Sequence, residues 1–243
     1  MQHYAWNWGI LVTQPYVFWI LSGLLWTMLV ALAGWVLALA LGSILGVART
    51  VPNRVVRALA AAYVEYFRNV PLLVQIFLWY FVLPELLPEG AGRWLKRDLP
   101  NAEFWTAVLS LGTYTACRVG ETLRAGIESI SRGQTSAGLS SGLTMAQVYG
   151  YILLPVAYRV TVPALTSEFI NIFKNSALAL TIGVLELTSR TRQIAEFTYN
   201  AIELFTCATV IYALISLVVT YAMRIAESRA RLPGMIASQP TDA

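Results

Sequence analysis

Long apolar runs dominate this chain and restrict it to folds that cross a lipid bilayer. Several runs exceed about 18 residues, the length that spans a hydrocarbon core about 30 Å thick. Only 12% of the 243 residues are charged, whereas a soluble domain carries about 25%. Backbone groups in lipid must find hydrogen-bond partners within their own segment, so runs of this length predict helices. The sequence therefore predicts an all-α, polytopic membrane protein.

Five transmembrane helices are expected, within one transmembrane domain that covers residues 1–243. The predicted spans are residues 18–47, 58–83, 104–127, 163–187 and 204–225.

The distribution of basic residues predicts the orientation, because Lys and Arg concentrate in cytoplasmic loops. Nine arginines fall on the side that holds residues 133–155, and five basic residues fall on the other. We therefore expect an N-terminus outside the cell, a C-terminus in the cytoplasm and a cytoplasmic loop at 133–155. The nine are Arg49, Arg54, Arg57, Arg124, Arg132, Arg159, Arg224, Arg229 and Arg231, and the five are Arg93, Lys96, Arg97, Arg190 and Arg192.

The sequence contains few of the residues that catalytic or metal sites require. Its one histidine is His3, and Cys117 and Cys207 lie inside apolar runs without metal-ligand spacing. The phosphate-binding pattern G-x-x-x-x-G-K-[ST] is missing, so ATP hydrolysis by that route is excluded. We expect a non-catalytic subunit with no metal and no cofactor, in which both cysteines serve packing.

The polar segment 133–155 is too hydrophilic to span a bilayer and contains helix-end signals. Ser131–Gln134 and Thr144–Gln147 both match the Ser/Thr-x-x-Gln capping box. Gly142 stands where a helix C-terminus needs a left-handed residue. These signals predict two short helices joined at a tight corner, with the second ending at Pro155.

Arg118 is the most informative single residue, because it falls about 21 Å along a helix that starts at Phe104. A charge at that depth needs a partner or water. Glu121 at i+3 offers an ion pair on the same helix, and Tyr114 shares the face. Alternatively, the planar guanidinium binds a substrate carboxylate through two hydrogen bonds.

The predicted fourth span has a polar stripe about 120° wide. Lys174 lies about 16 Å from Pro163, near the membrane centre, where it pairs with Glu168 or a second carboxylate. Such a stripe lines a substrate path or forms a polar contact between helices. The candidate substrate-binding residues are Arg118, Lys174, Glu168, Asn171, Asn175 and Glu121.

The second span contains Glu65, Arg68 and Gln75, which fall within about 80° on a helical wheel. One stripe of this helix must therefore face protein or water. The alternative is a structural ion pair between Glu65 and Arg68.

The spacing of the polar loop resembles the "EAA" loop of ABC-importer permeases, which reads E-A-A, three residues, Gly, nine residues, then I-x-L-P. Here Ser136 replaces the glutamate and Gly138 the second alanine. The resemblance implies a cytoplasmic knob that docks into the ATP-hydrolysing subunit. The residues it implies for this coupling are Ser136, Ala137, Gly138, Gly142, Ile152, Leu154 and Pro155.

Two further segments, EYFRNVPLLVQ and SEFINIFKNSALALTIG, are similar to patterns of the same family. The chain resembles the polar-amino-acid permeases of type I ABC importers, and within them the glutamate/aspartate permeases, for which Arg118 provides positive charge. The outward Arg190 and Arg192 add to that charge. The resemblance implies two ATP-binding subunits, a second permease and a periplasmic amino-acid-binding protein as partners, in the bacterial inner membrane.

Two alternatives remain open from the sequence. The substrate is a different polar amino acid, such as glutamine or histidine, or the chain is a passive channel or a membrane scaffold. The missing glutamate at Ser136 leads to the hypothesis that the second permease is a different chain that retains it.

Overall fold

The computed structural model describes residues 6–230, and this range contains helices and no strand. His3, Arg231 and the rest of the polar tail lie outside the described residues. Eleven α-helices are named α1 to α11 in chain order. Their bounds are Tyr16–Ala48, Arg54–Asn69, Leu72–Phe77, Leu83–Leu86, Glu89–Arg93, Ala102–Glu128, Arg132–Ser140, Met145–Val148, Leu154–Asn175, Leu187–Thr198 and Ala201–Ala230. Short 3-10 segments occupy Trp8–Val12 and Ser176–Ile182, and π-helical segments occupy Leu78–Val82, Trp94–Asp98 and Tyr149–Leu153.

Helices α1 and α6 pack side by side along a row of small residues, which we call the glycine seam. A methyl group added to Gly42 would lie 2.6 Å from the Val119 side chain and 2.9 Å from the Ala116 carbonyl oxygen. At Gly46 it would lie 2.9 Å from Leu123. Residue numbers rise together along both helices, so the two run parallel. Small residues let helices approach closely where lipid supplies no hydrophobic driving force.

Helix α9 packs antiparallel to α6 and begins much earlier than the predicted fourth span. It is helical from Leu154 and runs through Pro163. The expected helix end at Pro155 is therefore wrong. Pro155 sits in the first turn of α9, directly after the π-helical segment Tyr149–Leu153. The helix is continuous from Met145, and the π-helical turn before Pro155, in which the Leu154 N–H donates to the Tyr149 carbonyl, shifts the hydrogen bonding so that the proline is accommodated and the helix continues.

The predicted second span is broken rather than straight. Helices α2 and α3 meet at an angle of 106° at Pro71, and Val70 before it has an extended backbone, as a proline favours. Gln75 is buried, and its amide nitrogen donates hydrogen bonds to the carbonyls of Phe67 (2.9 Å) and Val70 (2.8 Å). These bonds satisfy carbonyls that the helix end leaves free. Gln75 therefore stabilises the bend and does not continue the stripe of Glu65 and Arg68.

Three helices of the described residues are long and apolar enough to cross a membrane: Tyr16–Ala48, Met145–Ile182 and Ala201–Ile225. The bent pair Arg54–Asn69 and Leu72–Leu86 qualifies as a fourth. Helix α6 is long enough but contains several charged residues. The count of five spans stays a prediction.

The glycine seam leads to a stability prediction. Gly42→Ala is expected to lower the unfolding temperature of the purified protein in detergent, because overpacking costs about 1–3 kcal/mol. Gly150→Ala is the matched control, since no atom lies within 4 Å of the added methyl group, and alanine favours helix. Equal unfolding temperatures for the two variants would contradict the tight seam.

Candidate functional site

Arg118 projects from the middle of α6 toward α9 and meets a carboxylate there. Its Nη1 lies 3.6 Å from Glu168 Oε1, and its Nη2 donates a 3.0 Å hydrogen bond to the Tyr114 hydroxyl. The Arg118 side chain is 46% exposed and that of Glu168 is 17% exposed. The 3.6 Å separation exceeds the 2.7–2.9 Å of a close charge-assisted hydrogen bond. The guanidinium is therefore held in position but keeps donors free for a ligand.

Glu121 does not take part in this pair, although it lies three residues from Arg118. It forms ion pairs with Arg49 at the end of α1 and with Arg124, and Arg124 also bonds Glu128. Of the two interpretations of Arg118, the ion pair with Glu121 does not form. The parallel packing of α1 and α6 brings Arg49 to Glu121, whereas Arg118 faces α9. The spacing of residues within α6 does not predict that Glu121 pairs with Arg49 or that Arg118 pairs with Glu168.

Lys174 lies in the last turn of α9, about 30 Å from the start of that helix at Leu154. It is exposed and makes no ion pair with a described residue. The expected pair with Glu168 does not form. Because α9 begins nine residues before Pro163, Lys174 lies at the end of the helix rather than near its middle. Asn171 and Asn175 share a face with Glu168 at i+3 and i+7, and both are half-buried. They extend the polar face of α9 away from Arg118.

Helices α7 and α8 form the predicted hairpin, which we call the 131–154 hairpin. The left-handed conformation at Gly142 is confirmed, with φ of 84°. Backbone N–H groups of Gly142 and Leu143 donate to the carbonyls of Leu139 and Gly138, the hydrogen bonds of a Schellman motif. The Thr144–Gln147 capping box is confirmed. Ser131 caps α7 without a side-chain hydrogen bond, so the first predicted box is wrong.

The hairpin residues divide into an outer and an inner set. Ser136 and Ala137 are exposed. Gly138 is buried, and a methyl group there would lie 2.8 Å from Ile152 Cδ1, so a glycine in place of alanine brings the two arms together. Ile152 and Leu154 pack on a buried cluster formed by Leu123, Ile127, Val148, Leu153 and Ala157. Pro155 is exposed.

Two hydrogen bonds that the sequence did not predict tie the hairpin and α9 to α1. The Tyr149 hydroxyl donates to Thr50 Oγ1 at 3.0 Å, and Ser43 contacts the Tyr158 hydroxyl. Both join residues about a hundred positions apart. The base of the hairpin is therefore attached to the same end of α1 that carries Arg49.

The other residues that the sequence analysis named contact neighbouring protein side chains or lie in the protein interior. Arg190 lies over the Trp19 ring at 5.4 Å and bonds Gln193, and Arg192 pairs with Glu196. Cys117 is buried in the protein interior. Residues 6–230 contain no group of three or more side chains suited to hold a metal ion.

Comparison with known proteins gives consistent matches over nearly the whole chain. Residues 38–232 match the family described as binding-protein-dependent transport system inner membrane component. The chain is 46% identical over 237 residues to the glutamate/aspartate import permease protein GltJ of Escherichia coli (strain K12), covering 94% of this chain and 96% of that protein. It is 31% identical to the glutamine transport system permease protein GlnP of the same strain, covering 86% and 90%.

Solved structures share the architecture. A crystal structure of an amino acid ABC transporter with histidines aligns with a TM-score of 0.78 and 27% identity, covering 93% of this chain and 100% of that one. An inward-facing methionine ABC transporter, MetNI, aligns with a TM-score of 0.72 at 20% identity, which supports the fold alone. The predicted all-α fold of a type I importer membrane subunit is confirmed.

Proposed function

The chain belongs to the family of binding-protein-dependent transport system inner membrane components, and on that premise we propose that its own substrates are glutamate and aspartate. The family makes it a permease subunit of an ATP-driven importer of polar amino acids in the inner membrane. It is not itself an enzyme, because an ATP-binding partner subunit hydrolyses ATP. A substrate-binding protein delivers the amino acid.

The observation that carries the acidic substrate is the 46% identity to a glutamate/aspartate permease, and the half-exposed Arg118 beside Glu168 offers groups that match an amino acid. A guanidinium fork matches a carboxylate, and the neighbouring carboxylate matches an ammonium group. An amino acid offers both groups, and an acidic one offers a second carboxylate. Asn171 and Asn175 supply neutral donors and acceptors along the same face of α9. Lys174 lies farther along α9, as a cation on the route rather than in the pair.

We assign energy coupling to the exposed surface of the 131–154 hairpin, which consists mainly of α7. Ser136 and Ala137, together with the partly exposed Leu139 and Met145, present small and apolar side chains to a partner. The proposal places this surface against the ATP-binding subunit on the cytoplasmic side, with the N-terminus of the chain outside. The arginine distribution supports that orientation. Gly138 and Ile152 hold the two arms together behind it.

The assembly proposed here has two ATP-binding subunits and two different permeases. Ser136 offers a hydroxyl where an acidic residue would form an ion pair with the ATP-binding subunit. A second, non-identical permease with glutamate at that place would restore one such contact. Mass spectrometry of the purified transporter tests this hypothesis. A complex in which both permease subunits are copies of this chain would refute it.

Uptake into proteoliposomes tests the substrate. The complete transporter, with its binding protein, is expected to transport radiolabelled aspartate and glutamate only when ATP is present on the side of the membrane that carries the ATP-binding subunits. Vanadate is expected to stop this uptake. Competition by unlabelled glutamine and histidine measures the selectivity. Uptake without ATP would support a passive channel, and stronger competition by glutamine than by aspartate would refute the acidic assignment.

A further inference from the structure

Residues 83–98 connect the broken second span to α6 and fold into a closed unit, which we call the 83–98 loop. It contains α4, α5 and a π-helical turn. Its two arms touch at Gly92, where a methyl group would lie 2.2 Å from the Pro84 carbonyl oxygen. Lys96 forms an ion pair with Glu85 between the same two arms. The surface of this loop is therefore held in shape by the loop's own contacts.

A polar cleft of about 430 Å³ opens on the 83–98 loop. Three basic and two acidic side chains line it, so its charges sum to +1. Lys96 and Glu85 pair with each other, whereas Arg93, Arg97 and Glu89 are exposed and have no ion-pair partner within residues 6–230. The cleft therefore offers two free guanidinium groups to carboxylates of a partner.

Two large apolar side chains of the same loop are exposed as well. Trp94, which follows Arg93 in the chain, is 52% exposed, and Leu86 in the other arm is 77% exposed. Trp and Arg are enriched among the residues that contribute most of the binding energy at protein interfaces. An exposed indole next to free guanidinium groups is therefore typical of a surface that binds another protein.

The position of the 83–98 loop in the fold indicates which protein can reach it. Helix α6 starts at Ala102, directly after the loop, and ends at Glu128, directly before the 131–154 hairpin. Its 27 residues extend about 40 Å at 1.5 Å per residue, more than the hydrocarbon core of about 30 Å. With the hairpin on the cytoplasmic side, as proposed above, the loop lies on the outer side. The binding protein on which this family depends reaches the permease from that side.

We propose that the 83–98 loop is a docking surface for the substrate-binding protein. Acidic side chains of that protein enter the cleft and pair with Arg93 and Arg97, and an apolar part of its surface packs on Trp94. A lipid surface fits this site less well, because the cleft is concave and Glu89 keeps a free carboxylate, which anionic head groups repel. The inference rests on the proposed placement of the hairpin in the cytoplasm.

The ATPase activity of the purified permease–ATPase complex in lipid nanodiscs tests this role. It is measured against the concentration of binding protein loaded with aspartate. The double variant Arg93→Gln, Arg97→Gln is expected to raise the half-maximal concentration about fivefold and to leave the maximal rate unchanged, because charges at the edge of an interface affect docking. Added salt is expected to weaken docking to the parent complex more than docking to the variant.

Arg93→Lys with Arg97→Lys is the matched control for charge. It keeps both positive charges and is expected to have a half-maximal concentration within twofold of that of the parent. Equal half-maximal concentrations and equal salt dependence for the parent and the glutamine variant would overturn the inference.

A second pair of variants tests the shape of the cleft without changing its charge. Gly92→Ala forces the Pro84 carbonyl to move, because the added methyl group would lie 2.2 Å from its oxygen, and it is expected to raise the half-maximal concentration several-fold. Gly90→Ala lies in the same helix, and no atom lies within 4 Å of its added methyl group, so it is expected to match the parent. Equal values for these two variants would contradict a shaped docking surface.

Other occupants of this surface give different results. Contact with anionic lipid would make the effect of the glutamine variant depend on phosphatidylglycerol in the nanodisc and appear without binding protein. Contact with the second permease would lower the yield of assembled complex. Either result would overturn the inference.

The outcomes also separate this inference from the proposed function. If aspartate-loaded binding protein stimulates the parent and the glutamine variant at the same concentration, the docking surface fails and the proposed substrate stands. If only glutamine-loaded binding protein stimulates the complex, the acidic assignment fails, and the same variants measured with that ligand decide the docking surface.

Discussion

Replacing Arg118 with alanine is expected to reduce ATP-dependent aspartate uptake by about 10- to 100-fold, since a hydrogen bond to a charged group contributes about 1.5–3 kcal/mol. The variant loses the cation that we propose binds the substrate, and it leaves Glu168 without its ion-pair partner. Assembly is expected to change less, because Arg118 is half exposed and its contact with Glu168 is long. Uptake rate and the yield of assembled complex, measured on the same preparation, compare the two effects.

Arg192→Ala is the matched control for this experiment. Arg192 also pairs with a glutamate, Glu196, but both side chains are more than 60% exposed, and exposed pairs contribute about 0–1 kcal/mol. Its uptake is expected to stay within twofold of the parent protein. An Arg118→Ala variant that loses uptake and assembly in equal measure would assign Arg118 a structural role.

Gly142→Val is expected to uncouple ATP hydrolysis from transport. A β-branched residue at φ of 84° is strained, and moving it out of that conformation breaks the two backbone hydrogen bonds that close α7. The hairpin would then present its exposed arm at a different angle. We expect uptake per ATP hydrolysed to fall at least about tenfold, while the subunits still co-purify, because strain of about 1–2 kcal/mol is local.

Two variants control for volume and for conformation at this turn. Gly133→Val adds the same side chain to the first turn of α7, where the nearest atom to the added Cβ is 3.9 Å away. Gly142→Asn keeps a residue that tolerates the left-handed region, so coupling is expected to recover in part. Normal coupling in Gly142→Val would show that the hairpin does not transmit force.

Features that depend on neighbouring residues could be predicted from the sequence. The turn at Gly142 and the Thr144–Gln147 box are set by groups three or four positions apart, and both form as expected. The cost of a charge in an apolar run also indicates Arg118 and Glu168 as candidate site residues. The structure places them 3.6 Å apart.

Features that depend on packing could not be predicted. Glu121 pairs with Arg49 because two parallel helices touch, and no spacing within α6 encodes that contact. The continuation of α9 through Pro155 depends on a π-helical turn before it, which changes the local hydrogen bonding. The sequence therefore predicts Lys174 near the centre of a span that starts at Pro163, whereas it lies in the last turn of α9. The bend at Pro71 separated Gln75 from Arg68, and helical-wheel reasoning assumes a straight axis.

The glycine seam affects how this protein can move. Helices α1 and α6 touch nearly backbone to backbone at Gly42 and Gly46, so sliding or parting them would open voids along their whole length. We therefore expect α1 and α6 to move as one rigid unit. The Tyr149 hydroxyl donates a hydrogen bond to Thr50 and so connects the base of the hairpin to the end of α1. A displacement of the hairpin is therefore expected to move α1 and α6 together.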